Sequence, residues 1–140
     1  MSGVLVDTDV LITAYQAGEG DPRAQRAKDA LEDLARRGDG YLCVQNLEEF
    51  VRVVGTKLAT PVPPAKVRET LAQLEQVFDV LRPSSLTVQA ALHASEKHGL
   101  PFWDSMVWAV AHENGLSEVL TQDVPGRAEI EGVRYRNPFA

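Results

Sequence analysis

The sequence predicts an α/β domain in which helices flank a mainly parallel sheet. Short apolar runs typical of buried strands alternate along the chain with longer stretches of helical periodicity. Glycine and proline separate the two kinds of segment. With 140 residues, of which 44% are hydrophobic, the chain can bury one core. We therefore expect a single domain over residues 1–140.

The first strand is expected at residues 3–6, and a helix over residues 7–18 follows it directly. The next helix begins with Asp21, a typical N-cap, and Pro22 suits its first position. Gly38 is expected to end that helix in a left-handed conformation.

The remaining segments repeat this alternation. Further strands are expected at residues 41–44, 79–83, 117–123 and 132–139. Helices are expected between them at residues 45–58, 65–78, 86–98 and 100–115. Ser84 or Ser85 can cap the third of these helices.

Composition limits the classes of function. The net charge of −6 argues against a sequence-independent DNA coat, which needs a basic surface. No apolar run reaches the roughly 18 residues that span a bilayer, and no basic region precedes the first apolar stretch as in a signal peptide. Cys43 is the one cysteine, so we expect a small core residue and a reducing, cytoplasmic environment.

Acidic residues recur where the predicted strands end. Asp7 follows the first strand, Asp123 follows the fourth, and Asp104 lies at the start of a helix. Glu48 and Glu49 lie early in the helix after the second strand. Because parallel strands present their carboxyl ends at one edge, these acids are expected at the same end of the domain.

Converging carboxylates repel one another unless a cation is present. A ligand set of oxygen atoms alone favours a hard ion, Mg²⁺ or Mn²⁺, over zinc. His93, His98 and His112 are expected at the surface or at helix ends rather than at a metal.

Simpler interpretations exist for each residue taken singly. Asp104 suits a helix N-cap, Asp9 suits a cap of the first helix, and Asp123 suits a turn. Trp103 and Trp108 suit the core or a groove, and Trp103 could also stack on a base beside Asp104.

Several short motifs, in their order and spacing, resemble the PIN domain family. They are Asp7-Thr8-Asp9-Val10-Leu11 after the first strand, "QNLEEFVRVV", "FWDSMVWAVAHENG" and "VLTQD". The closing "GVRYRNPF" resembles the C-terminal segment of VapC-type toxins, which belong to type II toxin–antitoxin systems.

This resemblance implies a sheet of order 3-2-1-4-5 and a Mg²⁺- or Mn²⁺-dependent endoribonuclease. It also implies an RNA substrate, inhibition by a cognate antitoxin protein, and a homodimer. The residues that it assigns to catalysis and to the metal are Asp7, Glu49, Asp104 and Asp123. Thr121 matches a common hydroxyl position, and Asp9 stands where asparagine is more common.

The choice between Glu48 and Glu49 is open on helical geometry. At about 100° per residue, Glu49 lies almost opposite the stripe of Leu47, Phe50 and Val54, and Glu48 lies on its flank. The helical wheel therefore favours Glu48, whereas the resemblance favours Glu49.

Two other functions fit parts of the sequence. A phosphatase of the haloacid dehalogenase type also begins with a strand and Asp-x-Asp, but Leu11 stands where its motif has threonine or valine. A non-catalytic partner-binding module could use the apolar stripes of the helices. The candidate phosphate contacts are Arg52, Lys57, Arg82 and Arg127.

Overall fold

A six-stranded sheet with helices on both faces forms the centre of the computed structural model, which describes residues 3–16 and 20–140. The strands are β1 (Val4–Val6), β2 (Gly40–Cys43), β3 (Asp79–Leu81), β4 (Glu118–Leu120), β5 (Glu129–Ile130) and β6 (Val133–Arg136). The α-helices are α1 (Thr8–Gln16), α2 (Pro22–Arg37), α3 (Val44–Arg52), α4 (Pro64–Val77), α5 (Ser85–His98) and α6 (Phe102–Glu113).

The strands lie in the order β3-β2-β1-β4-β6-β5, and all neighbours are parallel except β5 and β6. The predicted α/β class with a mainly parallel sheet is confirmed. The predicted fifth strand is β6, and the two-residue β5 at the edge was not predicted. Glu131 and Gly132 join β5 to β6 with φ of 45° and 87°, the left-handed values of a tight hairpin turn.

Side chains of β1 alternate between two apolar cores. Leu5 packs on the face covered by α5 and α6, whereas Val4 and Val6 pack on the face covered by α1 to α4. All three are buried, as expected for a central strand of a parallel sheet. Burial on both faces holds the end of β1, and thus the residue after it, in one place.

Both predicted ends of α2 are confirmed, whereas the helix predicted after β2 is corrected. Asp21 accepts a hydrogen bond from the N–H of Arg23, and Gly38 ends α2 in the left-handed conformation. The helix expected over residues 45–58 is instead interrupted: α3 ends at Arg52, and a π-helical turn covers Val53–Lys57. The β-branched residues and glycine in this turn are weak α-helix formers.

The other predicted ends differ in detail. The first helix ends at Gln16, and residues 17 and 18, where its predicted end falls, lie outside the described residues. Ser84, rather than Ser85, caps α5 by accepting a bond from the N–H of Leu86 at 3.2 Å. Within the described ranges, no helix is long and apolar enough to cross a membrane.

Cys43 is buried at the end of β2, and its thiol donates a hydrogen bond to the side chain of Gln45. Burial raises the pKa of the thiol, which keeps it in the unreactive protonated form. The prediction of a small core residue is therefore confirmed.

Substitution of Gly40 tests the packing that holds β2 beside β1. A Cβ atom there would lie 2.5 Å and 2.6 Å from two ring carbons of Phe78, which is itself buried. We expect Gly40→Ala to lower the free energy of unfolding by about 1–3 kcal/mol, because the ring must move in a filled core. Urea denaturation measures the change.

The matched control is Gly55→Ala, because a Cβ atom at Gly55 would have no neighbour within 4 Å. This variant should be as stable as the wild type. Equal stability of both variants would show that the contact between Gly40 and Phe78 does not limit the packing.

Candidate active site

Pairing of β1 with β4 brings the first candidate acid beside a hydroxyl distant in sequence. Val6 and Leu120 are partners in the parallel register, so the residues after them, Asp7 and Thr121, leave the sheet side by side. The N–H of Asp7 donates to the carbonyl of Leu120 at 2.9 Å, which extends the pairing by one bond. The position of Asp7 is thus a direct result of the strand order.

Both carboxylate oxygens of Asp7 accept hydrogen bonds. Oδ1 accepts from the N–H of Thr8 at 2.8 Å and from the side-chain amide of Asn46 at 3.3 Å. Oδ2 accepts from the hydroxyl of Thr121 at 2.9 Å. Asn46 is almost fully buried and also donates to the hydroxyl of Thr8 at 3.1 Å. These bonds hold the carboxylate in a single orientation.

Asp9 shares the hydroxyl of Thr121 with Asp7. Its Oδ2 lies 3.1 Å from that hydroxyl and accepts from the N–H of Gln122 at 3.2 Å. One hydroxyl has one proton, so it cannot donate to both carboxylates at once. The expectation that Asp9 caps the first helix is therefore replaced by a role across the sheet edge, because its side chain reaches the end of β4.

Burial and like charge together disfavour the ionised form of Asp7. Its pKa is raised from 3.8 to about 7, first by burial, then by the charge of Asp9 and, to a smaller extent, by that of Glu49. The bonds from Thr8 and Thr121 act in the opposite direction and offset only part of this effect. A carboxyl group with a pKa near neutrality can bind either a proton or a cation under ordinary conditions.

Asp104 and Asp123 lie at the same end of the domain. Burial raises the pKa of Asp104, and the charge of Asp123 raises it further. Burial also raises the pKa of Asp9, and here too the charge of Asp123 contributes. The N–H of Asp123 donates to Oγ1 of Thr121 at 3.1 Å, so Thr121 contacts three of the aspartates.

The N-cap interpretation of Asp104 is wrong. α6 begins at Phe102 after Pro101, so Asp104 lies inside the first turn rather than at the cap. Proline sets the extended conformation that precedes a helix, and no side-chain cap is made there. The side chain of Asp104 is half-buried, and its N-terminal position in the helix favours a negative charge.

The two glutamates of α3 differ in surroundings. Glu48 is exposed, whereas Glu49 is half-buried and near enough to Asp7 for its charge to raise the pKa of that residue. The helical wheel favoured Glu48 for a site bordering the core, whereas Glu49 is the glutamate whose charge raises the pKa of Asp7.

The oxygen donors suit a hard divalent cation. Oδ1 of Asp9 is buried and has no hydrogen-bond partner among the described residues, and the neighbouring Asp7 carboxylate is destabilised by like charge. Within the described part of the chain, however, no three acidic, histidine or cysteine side chains are close enough to enclose one metal ion. Mg²⁺ often uses only one or two carboxylates and several waters, so this donor set fits such an ion.

In the described part of the chain, two open clefts are lined by some of these acids, although by neither Asp7 nor Asp104, and they share no residue. The first, of about 460 Å³, we call the tryptophan cleft, and it is lined by Gln45, Glu48, Glu49, Arg52 and Trp103. The second, of about 520 Å³, we call the arginine cleft, and it is lined by Asp9, Arg23, Gln122, Asp123, Asn137 and Phe139. Each cleft therefore combines at least one candidate acid with one arginine.

Of the predicted phosphate contacts, only Arg52 lines either cleft. Arg127 instead contacts Nδ1 of His98 at 2.6 Å, and His98 contacts Glu131 at 2.7 Å. The prediction that His98 lies at a helix end is correct, although its side chain is largely buried. Arg127 lies just before β5, His98 ends α5, and Glu131 lies in the turn between β5 and β6, so none of the three lines either cleft.

Three polar residues near the acids were not predicted from the sequence: Arg23, Asn46 and Tyr135. Asn46 could have been found, because it follows β2 at the same sheet edge as Asp7. Tyr135 has a buried hydroxyl without a partner among the described residues. Burial, and then the charges of Asp104 and Asp7, raise its pKa. Nothing in the sequence around Tyr135 or Arg23 indicated these positions.

The raised pKa of Asp7 predicts that this residue opposes folding at high pH when no metal is present. The folded state binds the proton more tightly than the unfolded state, so the stabilising effect is present at low pH and lost as pH rises through about 7. Asp7→Asn, which is neutral at every pH, should raise the free energy of unfolding by about 2–4 kcal/mol near pH 8. Urea denaturation in EDTA measures this.

The difference in the free energy of unfolding between Asp7→Asn and the wild type should vanish below about pH 4, where Asp7 is protonated in both the folded and the unfolded state. Asp79→Asn is the matched control, since Asp79 is exposed at the start of β3. A wild type as stable as Asp7→Asn near pH 8 would contradict the electrostatic account of this site.

Comparisons with known proteins agree with this architecture. The sequence model of the PIN domain matches residues 4–124. The structure is similar to a toxin–antitoxin complex from Klebsiella pneumoniae, with a TM-score of 0.70 and 20% identity, covering 97% of this chain and 98% of that one. A search of curated protein sequences finds no significant match.

Two further solved structures are similar. One is DNA-bound VapBC from Salmonella typhimurium, with a TM-score of 0.68, 16% identity, and 99% of each chain covered. The other is VapC20 from Mycobacterium tuberculosis, described as a sarcin–ricin loop cleaving toxin, with a TM-score of 0.62, 19% identity, and 84% and 87% covered. At these identities the likeness concerns the fold, whereas the match of the sequence model covers most of the chain: the protein belongs to the PIN domain family.

Proposed function

We propose that the protein is a metal-dependent endoribonuclease that hydrolyses phosphodiester bonds in RNA. The observation that carries the proposal is the group of carboxylates around Thr121, in which Asp7 and Asp9 are half-buried, Asp123 is exposed, and the pKa of Asp7 is raised to about 7. The repulsion between the carboxylates of such a group is relieved when a divalent cation binds to them. Membership of the PIN family replaces the phosphatase alternative.

Asp7, Asp104 and Asp123 would share one or two Mg²⁺ or Mn²⁺ ions, each bound through one or two carboxylates and several waters, with Glu49 joining directly or through water. A bound divalent ion lowers the pKa of a water molecule and neutralises charge on the phosphate oxygens. The oxygen of a water molecule would form a bond to phosphorus as the bond from phosphorus to the leaving ribose oxygen breaks. The water would lose a proton to solvent, and the leaving oxygen would take one up from solvent. No covalent intermediate with the protein is required.

The residues around Asp7 have a positioning role in this proposal. Asn46 and the N–H of Thr8 orient Oδ1, and Thr121 orients Oδ2. A cation would also resolve the competition for the single Thr121 proton, because one carboxylate could then bind the ion instead. Arg23, which lines the arginine cleft, is suited to contact a phosphate of the strand.

RNA is the proposed substrate because a relative with the same fold, VapC20, is described as cleaving the sarcin–ricin loop. We further propose that the chain is the toxin of a toxin–antitoxin pair, inhibited by a cognate antitoxin and acting in the cytoplasm. The similar structures from Klebsiella pneumoniae and Salmonella typhimurium are of toxin–antitoxin complexes. A binding role alone would leave the isolated chain without nuclease activity.

Removal of the central carboxylate should abolish cleavage without unfolding the protein. We expect the purified chain to cut RNA with Mg²⁺ or Mn²⁺ and to stop in EDTA. Asp7→Asn should lower the rate by at least about a hundredfold, because charge stabilisation of this kind contributes several kcal/mol. The measurement is a time course with end-labelled RNA on a denaturing gel.

Asp79→Asn serves again as the control and should cleave as the wild type does. Calorimetric titration with Mn²⁺ provides a second readout, in which binding should be lost with Asp7→Asn only. Equal cleavage by wild type and Asp7→Asn, or cleavage that persists in EDTA, would overturn the proposal.

A homodimer is also proposed, with α5 at the contact. Val88 and Leu92 lie one turn apart on this helix and are 39% and 52% exposed. A second copy that covers them would remove this apolar surface from water. We expect light scattering to give the mass of two chains for the wild type and of one for Leu92→Lys.

Val77→Lys is the control, because Val77 is 48% exposed but lies at the end of α4. It should remain dimeric. A monomeric wild type at high micromolar concentration would contradict the dimer, and dissociation by both substitutions would contradict its placement on α5.

A further inference from the structure

We propose that the tryptophan cleft is a subsite for one unpaired nucleobase of the RNA strand, and that the indole of Trp103 stacks on it. The inference rests on the proposed ribonuclease function and deepens it, because it specifies a single-stranded substrate. The supporting observations are the exposure of Trp103, its position beside the acids, and the charges that line the cleft.

The two tryptophans of the chain have opposite surroundings. Trp108 is 5% exposed, donates its N–H to the carbonyl of Ile130 at 3.0 Å, and stacks on His112 with ring centres 4.6 Å apart. Trp103 is 39% exposed, and among the described residues no ring pairs with it. Trp108 therefore has a structural role, whereas part of Trp103 is open to solvent and lines the tryptophan cleft.

Trp103 lies next to the acids in both sequence and space. It directly precedes Asp104 in the first turn of α6. The same cleft is lined by Glu49, whose charge raises the pKa of Asp7. A strand whose phosphate reaches Asp7 and Asp104 would thus place an adjoining nucleotide in the tryptophan cleft.

The charges that line the tryptophan cleft favour binding of an uncharged base over binding of a phosphate. Glu48 and Glu49 are two carboxylates against the single guanidinium of Arg52. A phosphate in this space would be repelled, whereas an uncharged base can stack on the indole and contact the side-chain amide of Gln45. Bases in a duplex are already stacked and paired, so the occupant must be unpaired.

The neighbouring aromatic residue offers a matched control. Phe102 is 44% exposed at the first position of the same helix but does not line the tryptophan cleft. Its loss removes a similar apolar surface from the same turn. A difference between the two positions therefore reports on the cleft and not on exposed aromatic area.

The test is binding of a short, unstructured, fluorescein-labelled RNA oligonucleotide, measured by anisotropy with Ca²⁺ in place of Mg²⁺. A gel run afterwards confirms that the strand is intact. We expect Trp103→Ala to raise Kd by about 5- to 150-fold. Trp103→Phe should stay close to the wild type, Trp103→Leu should weaken binding as Trp103→Ala does, and Phe102→Ala should have no effect.

A second arm uses oligonucleotides in which one position lacks its base. At one position, the missing base should weaken binding to the wild type but not weaken binding to Trp103→Ala any further. The oligonucleotide should also quench tryptophan fluorescence in the wild type and fail to do so in Trp103→Phe. Circular dichroism checks that each variant is folded.

The subsite proposal would be overturned if the losses of affinity from the missing base and from Trp103→Ala were additive at every position. Equal Kd values for the wild type and Trp103→Ala would also overturn it. So would a quench that survives in Trp103→Phe, or an absence of oligonucleotide binding by all variants, which would leave the cleft to a protein partner. Cleavage is measured separately: RNA binding of the expected pattern without hydrolysis contradicts the ribonuclease alone, and hydrolysis unaffected by Trp103→Ala contradicts the subsite alone.

Discussion

The parallel pairing of β1 with β4 is the constraint on which the acidic site depends. It places Asp7 and Thr121, which are distant in sequence, next to each other where the two strands end. The N–H of Thr121 donates to the carbonyl of Arg136 at 3.0 Å, so β6 supports the same edge. Because side chains from β1 fill both cores, this edge cannot shift without loss of packing on either face of the sheet.

The pairing of β1 with β4 brings the carboxylates of Asp7 and Asp9 closer together than two free carboxylates would lie in water. One Thr121 hydroxyl serves Asp7 and Asp9, and burial adds to their mutual repulsion. Packing of the two cores, rather than attraction within the site, keeps these residues together. The electrostatic repulsion between these carboxylates is localised at the sheet edge, which is where functional sites in open α/β sheets lie.

The sequence motifs anticipated most of this arrangement, because the type of each element depends on local periodicity and on capping residues. Asp21, Gly38 and the serine before α5 were identified by their local roles. The interruption after Arg52 was missed because the apolar stripe continues through the π-helical turn. Asp9 and Asp104 were given local capping roles, although their surroundings come from other elements.

Periodicity, strand ends and the order of the acids were sufficient to assign the α/β class and to expect acids at one end of the domain. These properties follow from interactions between residues near one another in the chain. The sharing of Thr121, the buried and unpaired hydroxyl of Tyr135, and the separation of the two clefts depend on contacts between distant segments. Such contacts appear only when the strands are ordered and the helices packed, because burial and charge are properties of the assembled fold.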